Sequence, residues 1–216
     1  MADSRTQYAT WDREAAAQRA LAQADTCGAC GVDDTIWNFA FGSNLNAQRV
    51  RSRNMTPAQS VRGYLPGWSL VFNHRGGYGN IESREFIRAA GCSDFDLSRL
   101  PQPIPEETHG VLLRLTRRDF AELARQEYGY DVVAVDVICY PGDAAAPALP
   151  GGAADGVFQP ASVLQRALAF KSATCAVTSS RTLPSSRYLA LIQEGARDLH
   201  LEASYLQWLD SIKSDP

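Results

Sequence analysis

The chain has 216 residues, 45% of them hydrophobic and 21% charged, and a formal net charge of −3. That length fits one ordinary domain with sequence to spare, and the composition can bury a core without staples. The charge offers no basic face to a phosphate backbone, and no stretch approaches the roughly 20 apolar residues that span a bilayer, so neither nucleic acid nor membrane is expected as a partner.

The opening Met-Ala-Asp-Ser-Arg lacks the apolar run of a leader, which reads as a cytoplasmic protein. Five cysteines at irregular spacing make no disulfide framework, and free thiols are expected. Thr10 to Ala24 is Ala-rich with few large apolar anchors, which predicts a surface or partly disordered helix. Cys27 and Cys30 follow as one Cys-x-x-Cys with no companion ligands at zinc spacing, so this stretch reads as a Gly-rich linker. Residues 1–34 are therefore taken as an extension, and 35–213 as the domain.

Thr35 to Phe41 is a β-branched and aromatic run ended by Gly42, a buried strand. Asn44 to Arg53 predicts a short helix capped by Ser43 or Asn44. Trp68 to Asn73 reads as the next strand, the glycines between Arg75 and Gly79 as a turn, and Ile81 as the opening of a return strand. Residues 92–107 hold three prolines and read as a surface loop. Gly110 to Leu115 is an aliphatic strand, and Thr116 with Asp119 supplies a capping-box-like start to a helix. Gly129 is placed to end that helix as its C′ residue, with Glu127 in the last turn. Tyr130 to Tyr140 alternates with period two, a half-buried strand, and Pro141 to Gly156 is a Gly/Pro/Ala loop. Val157 to Lys171 is apolar and tolerant of strand. Pro184 sits at a first helical position before Tyr188, Leu191, Ile192 and Gly195. A last helix runs from Glu202 with Tyr205, Leu206, Leu209 and Ile212 on its inner stripe. Short strands and helices that do not strictly alternate indicate an α+β fold with a small, mixed or antiparallel, barrel-like sheet and flanking helices.

Three features could carry chemistry. In His74 to Asn80 the glycines could permit close backbone approach to a ligand, and the plainer reading is a hairpin turn. The turn Phe41-Gly42-Ser43-Asn44-Leu45 joins a strand to a helix start, where successive N–H groups favour an anion or a developing oxyanion; the plainer reading is that Ser43 or Asn44 only caps the helix. Glu127 sits at the negative end of a helix dipole, a place that could suit a general base; the plainer reading is a solvated glutamate. His74, His109 and His200 have no partners at ligand spacing, so no metal is expected. No Gly-x-Ser-x-Gly elbow is present.

Taken in order, Asn-Phe-Ala-Phe-Gly-Ser-Asn-Leu (38–45), Gly-Trp-Ser-Leu-Val-Phe (67–72), the glycine turn after it, His-Gly-Val-Leu-Leu (109–113), Gln-Glu-Tyr-Gly-Tyr (126–130) and Pro-Ser-Ser-Arg-Tyr-Leu (184–189) resemble the γ-glutamylcyclotransferase family. The resemblance spans roughly residues 35–210. It implies a barrel-like α+β enzyme without cofactor or metal that closes a γ-glutamyl group onto its own α-amine, releasing 5-oxoproline and a free amine. It implies Glu127 as the catalytic residue, with Phe41, Gly42, Ser43, Asn44, Leu45, Tyr130 and Phe170 holding the substrate. The implied partner is a small γ-glutamyl compound, and a homodimer is left open. Two departures stand out: the family usually has Tyr at the Phe41 position, and Gly directly after the glutamate, where this chain has Tyr128 and then Gly129. The alternatives are a pocket that binds without turnover and a glutathione-directed enzyme; glutathione-specific relatives tend to have Leu where Asn44 stands.

Overall fold

The elements follow in chain order as α1 (Arg13–Cys27), β1 (Thr35–Ala40), α2 (Ala47–Ser52), β2 (Gln59–Pro66), β3 (Trp68–His74), β4 (Tyr78–Ser83), α3 (Arg84–Ala89), β5 (Glu107–Thr116), α4 (Arg117–Gln126), β6 (Tyr130–Cys139), β7 (Leu164–Ser172), α5 (Ser186–Asp198) and α6 (Ala203–Ser211). They come from a computed structural model that describes residues 11–31, 33–89, 97–143, 164–172 and 183–215. The expected loop at 144–156, the start of the 157–171 segment and residues 90–96 lie outside the described residues.

Five strands close a barrel in the order β1-β5-β2-β6-β7, and β3 with β4 forms a separate two-stranded sheet. Every barrel pairing is antiparallel except the closure, where Asn38 of β1 meets Leu168 of β7 in parallel. β1 is buried at every position, as its composition predicts. Phe39, Leu112, Leu115, Phe120, Leu123 and Leu168 are fully buried, so the core lies inside the barrel and under α4. Burying each such side chain contributes about 1.5–3 kcal/mol. The α+β barrel with flanking helices is the architecture expected.

β2 is a strand that the sequence reading passes over. Its inward positions are Val61, Gly63 and Leu65, and the glycine at the centre hides the alternation. Gly63 is small because β6 crosses it: a Cβ there would sit 2.7 Å from the Ile138 carbonyl oxygen. α1 also differs from expectation. Asp12 caps it, and Ala16, Ala17, Ala20 and Ala24 are buried where it packs on α4 and β6. Its alanines are a docking face, since small side chains allow two helices to approach closely. Cys27, the last residue of α1, and Cys30 in the stretch that follows are free thiols.

The β3–β4 hairpin is fastened to the barrel by polar groups. Thr108 Oγ1 donates to the Trp68 carbonyl at 2.8 Å, and Asn80 Oδ1 accepts from Ser172 N at 2.9 Å. His74 closes the same seam: its Nδ1 lies 2.9 Å from Ser172 Oγ, and its ring stacks on Tyr130 at 4.0 Å. Burial pulls the His74 pKa from 6.5 down to about 4. A depressed histidine stabilises the fold fully above the unfolded pKa, and that stability is lost as pH falls from about 6.5 towards 4. The loss should reach the order of 3 kcal/mol. Melting curves of the wild type and His74→Gln across this window check it; the variant's melting temperature should fall less steeply with acid.

Candidate active site

The bend after β1 differs from expectation in a way that frees its side chains. Ser43–Leu45 forms a single 3-10 turn, and Asn46, not Ser43 or Asn44, caps α2 by accepting from Arg49 N at 3.0 Å. Asn44 is thereby released to donate from Nδ2 to Glu127 Oε1 at 3.2 Å. Leu45 N and Asn46 N close back on the carbonyls of Gly42 and Ser43. The N–H groups of Ser43 and Asn44, which open the turn, are not used by the turn's own hydrogen bonds.

Glu127 is the C-cap of α4 and not a member of its last turn. Its N–H donates to the Leu123 carbonyl at 3.1 Å, and its carbonyl accepts from Tyr130 N at 3.2 Å. Gly129 is two residues past the cap with φ of 77°, a left-handed conformation that lets helix turn into strand within three residues. This fixes the glutamate at the mouth of the barrel. Thr116 caps the other end of α4 as predicted, accepting from Asp119 N at 3.1 Å.

A second side chain holds the carboxylate, one the sequence reading does not single out. Arg53, just past α2, pairs with Glu127 Oε1, and both side chains are largely buried. Its Nε is buried with no hydrogen-bond partner, as are Asn38 Oδ1 and Asn44 Oδ1. Unpaired buried polar atoms are rare, and the two asparagine oxygens belong to residues that line one place.

That place is a narrow inner chamber of about 50 Å³, lined by Asn38, Phe41 to Asn44, Gly79, Glu127, Tyr130, Phe170 and Tyr188. Ser43, Glu127, Tyr130 and Tyr188 also line an outer cavity of about 680 Å³, so the two spaces share a wall. The structure thus brings Phe41, Gly42, Ser43, Asn44, Tyr130 and Phe170 to Glu127. Leu45 is the exception: it is buried in the core, where its backbone meets Gly195 of α5. Pro184 likewise precedes the cap Ser185 and does not open the helix, which runs on past Gly195 to Asp198.

Tyr188 stands within a motif already noted but not among the predicted site residues. Its hydroxyl accepts from Gly79 N at 3.0 Å and lies 3.0 Å from where a Cβ on Gly42 would be. Tyr130 donates to the Gly79 carbonyl at 2.7 Å. Burial pushes both phenols up, so both are protonated at neutral pH. Tyr188→Phe leaves the Gly79 N–H without its acceptor and should cost about 1–3 kcal/mol in denaturant unfolding. Among the described residues no three His, Cys, Asp or Glu converge on a metal-sized site. His109 has an acid beside it, Glu107 at 3.0 Å on the same face of β5.

No family model matches the chain. A γ-glutamyl cyclotransferase of Aspergillus oryzae is 27% identical over 178 residues, 81% of this chain and 60% of that protein. The chain therefore spans less than two thirds of that relative's length. An uncharacterized human protein superposes with a TM-score of 0.55 at 20% identity, over 84% of this chain and 90% of its own. A solved γ-glutamyl cyclotransferase gives 0.55 at 18% identity, over 84% and 89%. The chain has the γ-glutamyl cyclotransferase fold. It also resembles a γ-glutamyl cyclotransferase in sequence, so the likeness read from its six motifs is borne out. Among the described residues no helix is long and apolar enough to cross a membrane.

Proposed function

We propose that this chain is a γ-glutamylcyclotransferase that converts γ-glutamyl amines to 5-oxoproline and the free amine without a cofactor. The observation that carries the reading is the convergence of the Glu127 carboxylate and the unpartnered oxygens of Asn38 and Asn44 on one chamber beside the glycine bend. A γ-glutamyl group needs that set. Its α-ammonium calls for acceptors, and its γ-carbonyl calls for donors, which the N–H groups of Ser43 and Asn44 and the Tyr188 hydroxyl supply.

The substrate holds both nucleophile and electrophile, so catalysis is largely a matter of folding the side chain into its five-membered near-attack form. Glu127 takes a proton from the α-ammonium. The freed amine attacks the γ-carbonyl carbon, and the oxyanion that forms is met by the donors at the bend. As the carbon–nitrogen bond to the leaving amine breaks, Glu127 returns the proton to that nitrogen; the ring nitrogen then gives up its second proton, by way of Glu127, to the freed amine, which departs as its ammonium. Arg53 and Asn44 position the carboxylate throughout. The resemblance implies a tyrosine hydroxyl at the place of Phe41 in relatives; here Tyr188 brings a hydroxyl to the same bend, and Tyr188→Phe should lower turnover about tenfold or more.

The test is 5-oxoproline release from a panel of γ-glutamyl amines that includes γ-glutamyl-alanine and glutathione. Release from at least one of them is expected. Tight binding of the panel without any release would favour the second reading, a pocket that binds and does not turn over, which Phe41 and the clamp of Arg53 on Glu127 motivate.

A further inference from the structure

The outer cavity carries more positive charge than one γ-glutamyl group requires. Four arginines line it: Arg49 from α2, Arg53 beside it, Arg75 from the β3–β4 turn and Arg187 from α5. Among the described residues lining it, Glu127 is the one carboxylate, and Arg53 takes it. The chain as a whole is acidic at −3, so this is not background charge. Arg49 and Arg187 are exposed, and among the described residues neither forms an ion pair. The guanidinium groups of these two, carried by separate elements, would be drawn together by a shared anion.

An independent observation marks the same surface as a ligand site. Among the described residues the exposed large hydrophobic side chains are Tyr78 at 49% and Tyr128 at 37%, and both line this cavity. Partly exposed aromatic rings beside cations, over a volume of about 680 Å³, are suited to a ligand of several heavy groups.

The geometry points to a subsite for an acidic leaving amine: one that bears a second acid group besides an ordinary amino acid's own carboxylate, held by Arg49 and Arg187. This rests on the cyclotransferase reading and names its substrate class. The reaction itself is unchanged; the acid groups stay on the departing amine and take no part in bond exchange.

γ-Glutamyl-glutamate and γ-glutamyl-glutamine match in shape and differ by that one charge. Turnover of both by the wild type, and calorimetric binding of both to Glu127→Gln, form the test. The acidic compound should be preferred about fivefold or more in kcat/KM and in Kd. Arg49→Gln with Arg187→Gln, or Arg187→Glu alone, should bring the ratio near one, chiefly through KM, and about 0.5 M salt should narrow it. Equal binding of the two compounds, or binding of neither, overturns the subsite, and a preference that survives both arginine variants does so too. A preference in binding without release of 5-oxoproline from either compound upholds the subsite and overturns the cyclotransferase reading.

Discussion

Glu127→Gln should abolish 5-oxoproline release, with kcat down about 10²–10⁴-fold, while the protein still folds and still binds γ-glutamyl compounds. The amide keeps the shape of the side chain and can accept from Asn44 Nδ2, so the bend retains that contact. What it loses is the ability to take and return a proton, together with the charge that Arg53 pairs with. An arginine largely buried and deprived of its partner costs about 1–3 kcal/mol, which should appear in denaturant unfolding alongside the lost turnover. Near-normal release from the variant would remove Glu127 from the mechanism.

Gly195→Ala tests the support behind the bend. An alanine in a helix interior ordinarily stabilises by up to about 1 kcal/mol over glycine. Here the added Cβ would fall 2.5 Å from both Asn46 N and the Leu45 carbonyl carbon, and 2.8 Å from Leu45 Cβ. Two of those neighbours are backbone, so the bend must move away from α5. Overpacking of this kind costs about 1–3 kcal/mol, so the variant should be less stable despite its better helix propensity. The bend carries Ser43 and Asn44, and a shift approaching 1 Å should lower kcat about a hundredfold. A variant that is more stable and fully active would show that α5 does not set the bend.

How far the sequence could be read follows from what each signal depends on. β1, β5, α4 and β6 were legible because their patterns are local: an aromatic run, an aliphatic run, the cap at Thr116 and a strict alternation. β2 was hidden because its central inward position is Gly63, which is small on account of β6, a strand more than sixty residues away. α1 read as a surface helix because alanine contributes little to hydrophobic patterning, whereas its buried face is made of alanines packed on α4.

At the site, Glu127 and the bend stand out from their own residues, each beside a plainer reading that the resemblance outweighs, and their proximity is a tertiary fact that no spacing encodes. Arg53 was missed for the same reason: it is 74 residues from Glu127, and an arginine at a helix end has an ordinary reading at the negative pole of the dipole. Tyr188 stood within a noted motif, yet its approach to Gly42 and Gly79 depends on where α5 docks. Leu45 was grouped with the binding residues because it completes the Gly-Ser-Asn-Leu turn; its side chain faces the other way, into the core.

The central claim is that the α-amine of the ligand, and not water, attacks the γ-carbonyl at the chamber shared by Glu127 and the bend. Turnover of γ-glutamyl-glutamate in oxygen-18 water, with every product weighed by mass spectrometry, tests this most directly. Unlabelled 5-oxoproline and free glutamate should appear in equal amounts. Glutamate labelled in its γ-carboxylate would instead show hydrolysis, and the cyclisation described here would be contradicted.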